Sequence, residues 1–291
     1  MWQRIRLILE MIKFRHTVFA LPFAVLAACF AAFLENGAAP DDFGRRLAWI
    51  LVAMVGARSS AMAFNRLVDE GFDARNPRTA ERALPRGRIS RAAVWSFTAA
   101  SAALFVLAAA MLNPLAFALS PVALAVILGY SFTKRFTALS HFVLGFALAL
   151  APIGAWIAVR GDLGLFPAVV GLGVLLWTAG FDVIYACQDE GFDRAAGLRS
   201  LPARLGIAGA LRLSALLHAL SLAAFLALWP IGGLGGWYLA GWVAVAALLV
   251  YQHRLVRPDD LARVNQAFFH VNAAVSLILV AAALADLFAG R

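Results

Sequence analysis

Runs of about 18 or more apolar residues, separated by short polar segments, recur along the whole chain, and nothing constrains its fold more. Hydrophobic residues fill 63% of the 291 positions and charged residues only 14%, against about a quarter in a soluble domain. Such a chain cannot cover a water-facing surface. The runs predict an all-α integral membrane protein of nine transmembrane helices, at 17–35, 47–68, 92–112, 115–132, 138–158, 164–187, 208–229, 236–252 and 268–289. Each lies near the ~20 residues that cross ~30 Å of hydrocarbon. One transmembrane domain over 1–291 is expected. The run from Thr17 to Leu34 is too long for a cleavable signal and lacks a small-residue cleavage site before a soluble domain, so it is expected to stay as the first span. Cys29 and Cys187 lack metal-ligand spacing and are read as small buried residues.

A net charge of +9 would suggest nucleic acid as a partner for a soluble protein. Here the lipid bilayer explains it. All but five of the 25 Lys and Arg residues fall on one side of the predicted spans. They lie at the N-terminus (Arg4, Arg6, Lys13, Arg15) and in the segments that follow the even-numbered spans, with the adjoining helix edges. Arg45, Arg46, Arg160 and Arg291 lie on the other side, and Arg58 falls within a span. Basic residues collect on cytoplasmic loops, so the N-terminus and these loops are expected in the cytoplasm of a bacterial inner-membrane protein. The C-terminus then lies outside, which requires an odd number of spans.

The cytoplasmic loops after spans two and six are long and polar, the kind of loop that carries function. Half of the 16 acidic residues sit in two stretches, Asp69, Glu70, Asp73 and Glu81, then Asp182, Asp189, Glu190 and Asp193. Both contain Asp-Glu-Gly-Phe-Asp, at 69–73 and 189–193, which points to an internal repeat with one copy in each half. Asn65, Asp69 and Asp73 step by four, which on a helix places them on one face. Asp182, Tyr185, Asp189 and Asp193 step by three and four in the same way. Stacked carboxylates repel unless a cation lies between them, and hard oxygen donors suit Mg²⁺ or Ca²⁺. Gly71 and Gly191 are expected to loosen the helix ends beside a ligand. The plainer alternative is a solvated acidic helix end, its charges paired to nearby arginines.

Asp182 lies inside the apolar run from Val169 to Ala186, where a lone carboxylate is expensive and usually functional. Arg58 is its counterpart in the second span, and a structural Arg58–Asp182 pair is the alternative. At the end of the fourth span, Tyr130-Ser-Phe-Thr-Lys134-Arg135 is either a topology anchor or a phosphate clamp, Lys as a point charge and Arg as a forked donor. Arg78 and Arg82 follow the first acidic cluster directly. His16, His141, His218 and His270 are read as helix-packing residues, His141 least so because it lies near the clamp.

Asn65…Asp69…Asp73, Arg78…Arg82-Ala-Leu-Pro-Arg-Gly, Tyr130-x-x-x-Lys134-Arg135 and Asp182-x-x-Tyr185…Asp189…Asp193, in that order, resemble the UbiA superfamily of intramembrane prenyltransferases. Within it, Tyr-Ser-Phe-Thr-Lys-Arg-Phe-Thr-Ala-Leu-Ser-His at 130–141 and Phe14-Arg-His-Thr-Val-Phe-Ala-Leu-Pro-Phe are most similar to 4-hydroxybenzoate polyprenyltransferases. The resemblance implies a nine-helix bundle of two pseudo-repeated halves that attaches a polyprenyl group, taken from a polyprenyl diphosphate, to an aromatic acid. It implies Mg²⁺ held by Asp69, Asp73, Asp189 and Asp193, with Asn65, Arg78, Lys134, Arg135 and Tyr185 on the diphosphate. Asp182 would orient or deprotonate the acceptor hydroxyl or steady the carbocation, and Arg58 would take the aromatic carboxylate. The most direct expectation is 4-hydroxybenzoate in ubiquinone biosynthesis. Two departures, Arg66 and Ala186 where the family's motifs carry Asp, remove one metal ligand from each site and point to a subgroup. That subgroup includes enzymes acting on a naphthoate precursor of menaquinone, which is the alternative acceptor. A transporter with duplicated halves is the remote alternative, but its polar groups would lie near the midplane rather than at one face.

Overall fold

A computed structural model describes residues 7–8, 10–12, 19–34 and 39–289. The basic residues Arg4, Arg6, Lys13 and Arg15, together with His16 and Arg291, lie outside the described residues. Among those described, the protein is helical, and its only bridge of strand type joins Arg257 to Asp260. The helices are α1 (Leu21–Phe33), α2 (Phe43–Asp73), α3 (Arg91–Leu112), α4 (Pro114–Gly129), α5 (Ser140–Arg160), α6 (Leu165–Ala186), the short α7 (Glu190–Ala195), α8 (Leu201–Ile231), α9 (Gly236–Leu255) and α10 (Val264–Ala289).

α1 is apolar on every side, and such a helix belongs inside a bundle. It is almost wholly buried. Phe23 stacks on Phe225 at 5.6 Å and Phe30 on Phe166 at 4.4 Å, fastening α1 to α8 and α6. α3 and α4 lie at the other extreme, with Leu104, Leu107, Met111, Phe117 and Val122 exposed. An apolar exposed face of this extent suits lipid.

All nine expected segments appear as helices. Seven of the described elements are long and apolar enough to cross a membrane, and two fall short of that measure. α1 has 13 residues, and α9 ends in the polar run Tyr-Gln-His-Arg-Leu. Several boundaries differ from expectation, and three of them bear on the site. α2 runs on to Asp73 rather than 68, because Gly71 sits in open space within the helix and does not break it. α8 starts at Leu201, seven residues early, with Ser200 as its N-cap and a kink at Gly206 (φ 71°). After Gly129 the chain tightens into a 3₁₀ helix, Tyr130–Arg135, where a span to residue 132 and then a loop were expected.

Small residues let the walls of the bundle approach closely, as packing without a hydrophobic drive requires. A Cβ at Gly145 of α5 would stand 2.4 Å from the Leu175 carbonyl oxygen of α6. Gly154, on the same helix, has nothing within 4 Å. Gly145→Ala is therefore expected to destabilise the protein by roughly 1–3 kcal/mol, the range for overpacking a tight site. Gly154→Ala should leave it unchanged or slightly more stable. Thermal melts of the two variants in detergent check the contrast.

Candidate active site

The C-terminal ends of α2, α4 and α6 and the N-terminal ends of α3, α5 and α8 gather at one end of the bundle. Between them lies a cavity of about 190 Å³, walled by the first acidic stretch, the 3₁₀ helix Tyr130–Arg135 and the second acidic stretch.

One wall is α2. Its period places Asn65, Asp69 and Asp73 on one face, and Asn65 Nδ2 donates to Asp69 Oδ2 at 2.8 Å. Asp73, one turn on, is buried and accepts from two arginines, Arg66 at 3.3 Å and Arg82 at 2.7 Å. Thr79 bonds the Asp73 carbonyl and closes the turn that follows. Arg66, next to Asn65 on α2, thus contributes a cation seven residues before the carboxylate it meets.

The opposite wall is the second copy of Asp-Glu-Gly-Phe-Asp, carried by the turn Cys187–Asp189 and by α7. The two copies meet across the cavity through the segment between α2 and α3. Asn76 Nδ2 donates to Asp189 Oδ1 at 3.0 Å. Arg78 forks onto both oxygens of Asp189, with Nε at 2.8 Å from Oδ1. Its remaining nitrogen donates to the Tyr185 hydroxyl at 3.0 Å, and its guanidinium lies 5.2 Å over the Tyr185 ring. Desolvation pulls the Arg78 pKa down, but the bonds to Asp189 and Tyr185 outweigh it and raise the pKa above the ordinary value. Arg78 therefore stays charged.

The 3₁₀ helix completes the ring. Lys134 Nζ lies 3.4 Å from Asp193, whose side chain is nearly fully buried. Arg135 bonds the Val68 carbonyl at 2.6 Å and lies 3.9 Å from Asp69. Arg199, unforeseen in the sequence, holds this segment by bonding the Phe136 carbonyl.

Deeper in the cavity wall, Asp182 accepts from His141 Nδ1 at 2.6 Å. Its partner is thus a histidine of α5. Arg58 sits two turns before Asn65 on α2 and is not among the residues lining the cavity. The other site residues expected from the sequence all line it. Ser131 and Ser140, not singled out in the sequence, also line it, and their buried hydroxyls have no hydrogen-bond partner among the described residues. Small hydroxyl residues in apolar runs carry no sequence signal of such a role.

Residues 22–274 match the UbiA prenyltransferase family. The chain belongs to that family. It is 34% identical over 258 residues to a 4-hydroxybenzoate octaprenyltransferase of Aeromonas salmonicida, which covers 86% of each chain. A namesake from Paraburkholderia phytofirmans is 31% identical over 224 residues, 76% of this chain and 77% of its own. The apo structure of a UbiA homolog from Aeropyrum pernix superposes with a TM-score of 0.83 at 35% identity, covering 94% of this chain and 98% of its own. A UbiA homolog from Archaeoglobus fulgidus, bound to DMAPP and Mg²⁺, shares the fold with a TM-score of 0.72 at 19% identity, covering 96% of this chain and 98% of its own.

The donor chemistry of the cavity fits Mg²⁺. Asp69, Asp73, Asp189 and Asp193 offer carboxylates and Asn65 an amide oxygen, with no sulfur donor among the lining residues. Among the described residues no three acidic, histidine or cysteine side chains converge tightly enough to cage a metal alone.

The buried Arg66–Asp73–Arg82 cluster carries more positive than negative charge, so removing its acid leaves two cations facing each other. Asp73→Asn is expected to cost roughly 3 kcal/mol of stability. Adding Arg66→Met should recover part of that loss. A double-mutant cycle of melting temperatures measures the coupling.

Proposed function

We propose that this UbiA-family protein transfers a polyprenyl group from a polyprenyl diphosphate to 4-hydroxybenzoate, forming a carbon–carbon bond ortho to the hydroxyl, as a step of ubiquinone biosynthesis. One observation carries the reading. Both acidic copies, Arg78 and the Lys134–Arg135 pair converge on a single cavity at one end of an apolar bundle. A diphosphate headgroup needs such a cavity, and its lipid tail needs such a bundle. The names of the relatives at 34% and 31% identity supply the acceptor. The naphthoate acceptor has no comparable support.

In this reading the bond between the allylic carbon and the diphosphate oxygen breaks, and its electron pair leaves with the diphosphate. The electron-rich ring carbon beside the hydroxyl forms the new bond, and its proton passes to an oxygen of the departed diphosphate. Asp69, Asp73, Asp189 and Asp193, with Asn65, would hold Mg²⁺, and an ion held there would neutralise charge on the leaving diphosphate. Arg78, Lys134, Arg135 and Tyr185 bind the same oxygens, placing preorganised donors where negative charge develops. Arg58, outside the cavity lining of this structure, would have to turn toward the cavity to receive the acceptor carboxylate through its forked donors. Asp182 receives the acceptor hydroxyl. The nine helices form one transmembrane domain in the bacterial inner membrane, with the N-terminus and the cavity on the cytoplasmic side.

Membranes containing the protein, given Mg²⁺, a labelled long-chain prenyl diphosphate and 4-hydroxybenzoate, should form labelled product that EDTA abolishes. A dihydroxynaphthoate acceptor should give none, and product from the naphthoate alone would overturn the acceptor assignment. Asp69→Asn and Asp189→Asn should each abolish turnover without loss of the folded protein. Arg58→Ala should raise KM for the aromatic acid about tenfold or more with little change in KM for the prenyl diphosphate. An unchanged KM would make Arg58 structural.

A further inference from the structure

His141 is fully buried at the first turn of α5, yet it reaches the cavity through one contact, Nδ1 to Asp182 Oδ2 at 2.6 Å. Its other nitrogen is also engaged. The backbone N–H of Leu201, first residue of α8, points at Nε2 at 3.4 Å. The first N–H groups of a helix lack partners within it. In α8, Ser200 Oγ serves Ala203, Pro202 has no N–H, and Nε2 of His141 serves Leu201. A backbone N–H can only donate, so Nε2 must accept and the ring proton must lie on Nδ1, directed at Asp182. The fold therefore fixes both the tautomer and the direction of the donor. It also occupies one carboxylate oxygen of Asp182, leaving the other for the cavity that Asp182 lines.

The same cavity is lined by Ser131 and Ser140, adjacent to His141, with buried hydroxyls that have no partner among the described residues. Unsatisfied buried hydroxyls facing a cavity mark where a polar ligand belongs. The diphosphate is accounted for by the arginines and the lysine, so the uncharged donors and acceptors suit the hydroxyl-bearing aromatic acceptor.

We propose that His141 is the positioning residue of the acceptor subsite, clamping Asp182 between α5 and α6 so that its free oxygen receives the acceptor hydroxyl. The proposal rests on the prenyl-transfer reading above. His141 touches neither substrate; it acts through Asp182. A carboxylate left free to rotate inside a span would lose its aim, and a displacement of about 1 Å at a positioned group can cost 10²-fold in rate.

Asparagine and glutamine separate this role from packing. The Asn amide nitrogen stands near the place of Nδ1, whereas the Gln amide nitrogen stands near Nε2. The full-length protein in membranes is assayed with Mg²⁺, prenyl diphosphate and 4-hydroxybenzoate. His141→Leu is expected to lower kcat about 10²-fold with KM for the prenyl diphosphate unchanged. His141→Asn should recover most of that loss and His141→Gln should not. His141→Leu in an Asp182→Asn background should cost nothing further. Equal activity of the Asn and Gln variants, or additive losses in the double variant, would overturn the positioning role even where His141→Leu fails to fold. An active Asp182→Asn would instead overturn the part given to Asp182 in the transfer reading, whereas an inactive Asp182→Asn beside a fully active His141→Leu would sink only the inference about His141.

Discussion

Carboxylates at the edge of hydrocarbon must each be offset by a cation, and that need joins the two halves of this protein. An isolated ionised group removed from water costs several kcal/mol even after relaxation. Asp73 is offset by Arg66 and Arg82, Asp189 by Arg78, and Asp193 by Lys134. The first pairing lies within one acidic segment. The other two tie the second copy to Arg78, after α2, and to Lys134, after α4, over 111 and 59 residues of chain. The charge pairs thereby define the cavity as well as line it. A diphosphate accompanied by a divalent cation brings both signs at once, so it can replace such pairs without leaving either partner bare.

The apolar bundle determines where those pairs can stand. α1 fills the centre and fixes α6 and α8 through aromatic stacking, while α5 and α6 meet so closely at Gly145 that no side chain fits between them. Packing this tight does not deform smoothly. The end of α6, carrying Asp182, Tyr185 and then Asp189, is consequently held in register with the start of α5, carrying Ser140 and His141. Phe268, on the π-helical turn Ala267–Val271, packs on the Tyr185 ring at 4.3 Å, so the last helix also supports the residue that contacts Arg78.

Much of this could be read in the sequence because it depends on local periodicity. The step of four from Asn65 to Asp73 needs only a helix, and α2 supplies one through the whole motif. The repeated pentapeptide announced two equivalent walls. Partner choice was not legible, since Arg78 and Asp189 meet only through the fold, and so do His141 and Asp182. The Arg66–Asp73 contact was within reach, for seven residues are two helical turns, but only if the helix was known to continue past Gly71. The gap between nine expected spans and seven that meet the length and apolarity of a crossing has a similar cause. α1 is short among its described residues, and α9 ends in a polar run whose Gln252 and His253 are engaged inside the bundle, bonding the Ala267 carbonyl and His218.

The site divides its polar groups by charge, and that division matches the demands of an ionising substrate. Cations and carboxylates crowd the rim, where a leaving group of high negative charge would gather. Farther in, one carboxylate is tied to a histidine and the hydroxyls of Ser131 and Ser140 stand unpartnered among the described residues, a setting suited to a neutral hydroxyl on an aromatic ring. An allylic cation formed between these zones would be destroyed by water, and exclusion of water is a property of the enclosing bundle rather than of any one residue. A membrane-embedded cavity therefore serves two requirements with one arrangement. It keeps the lipid tail in an apolar medium and keeps the reacting carbon dry, while the charges needed to open the bond stay at the one end of the bundle where they can be paired.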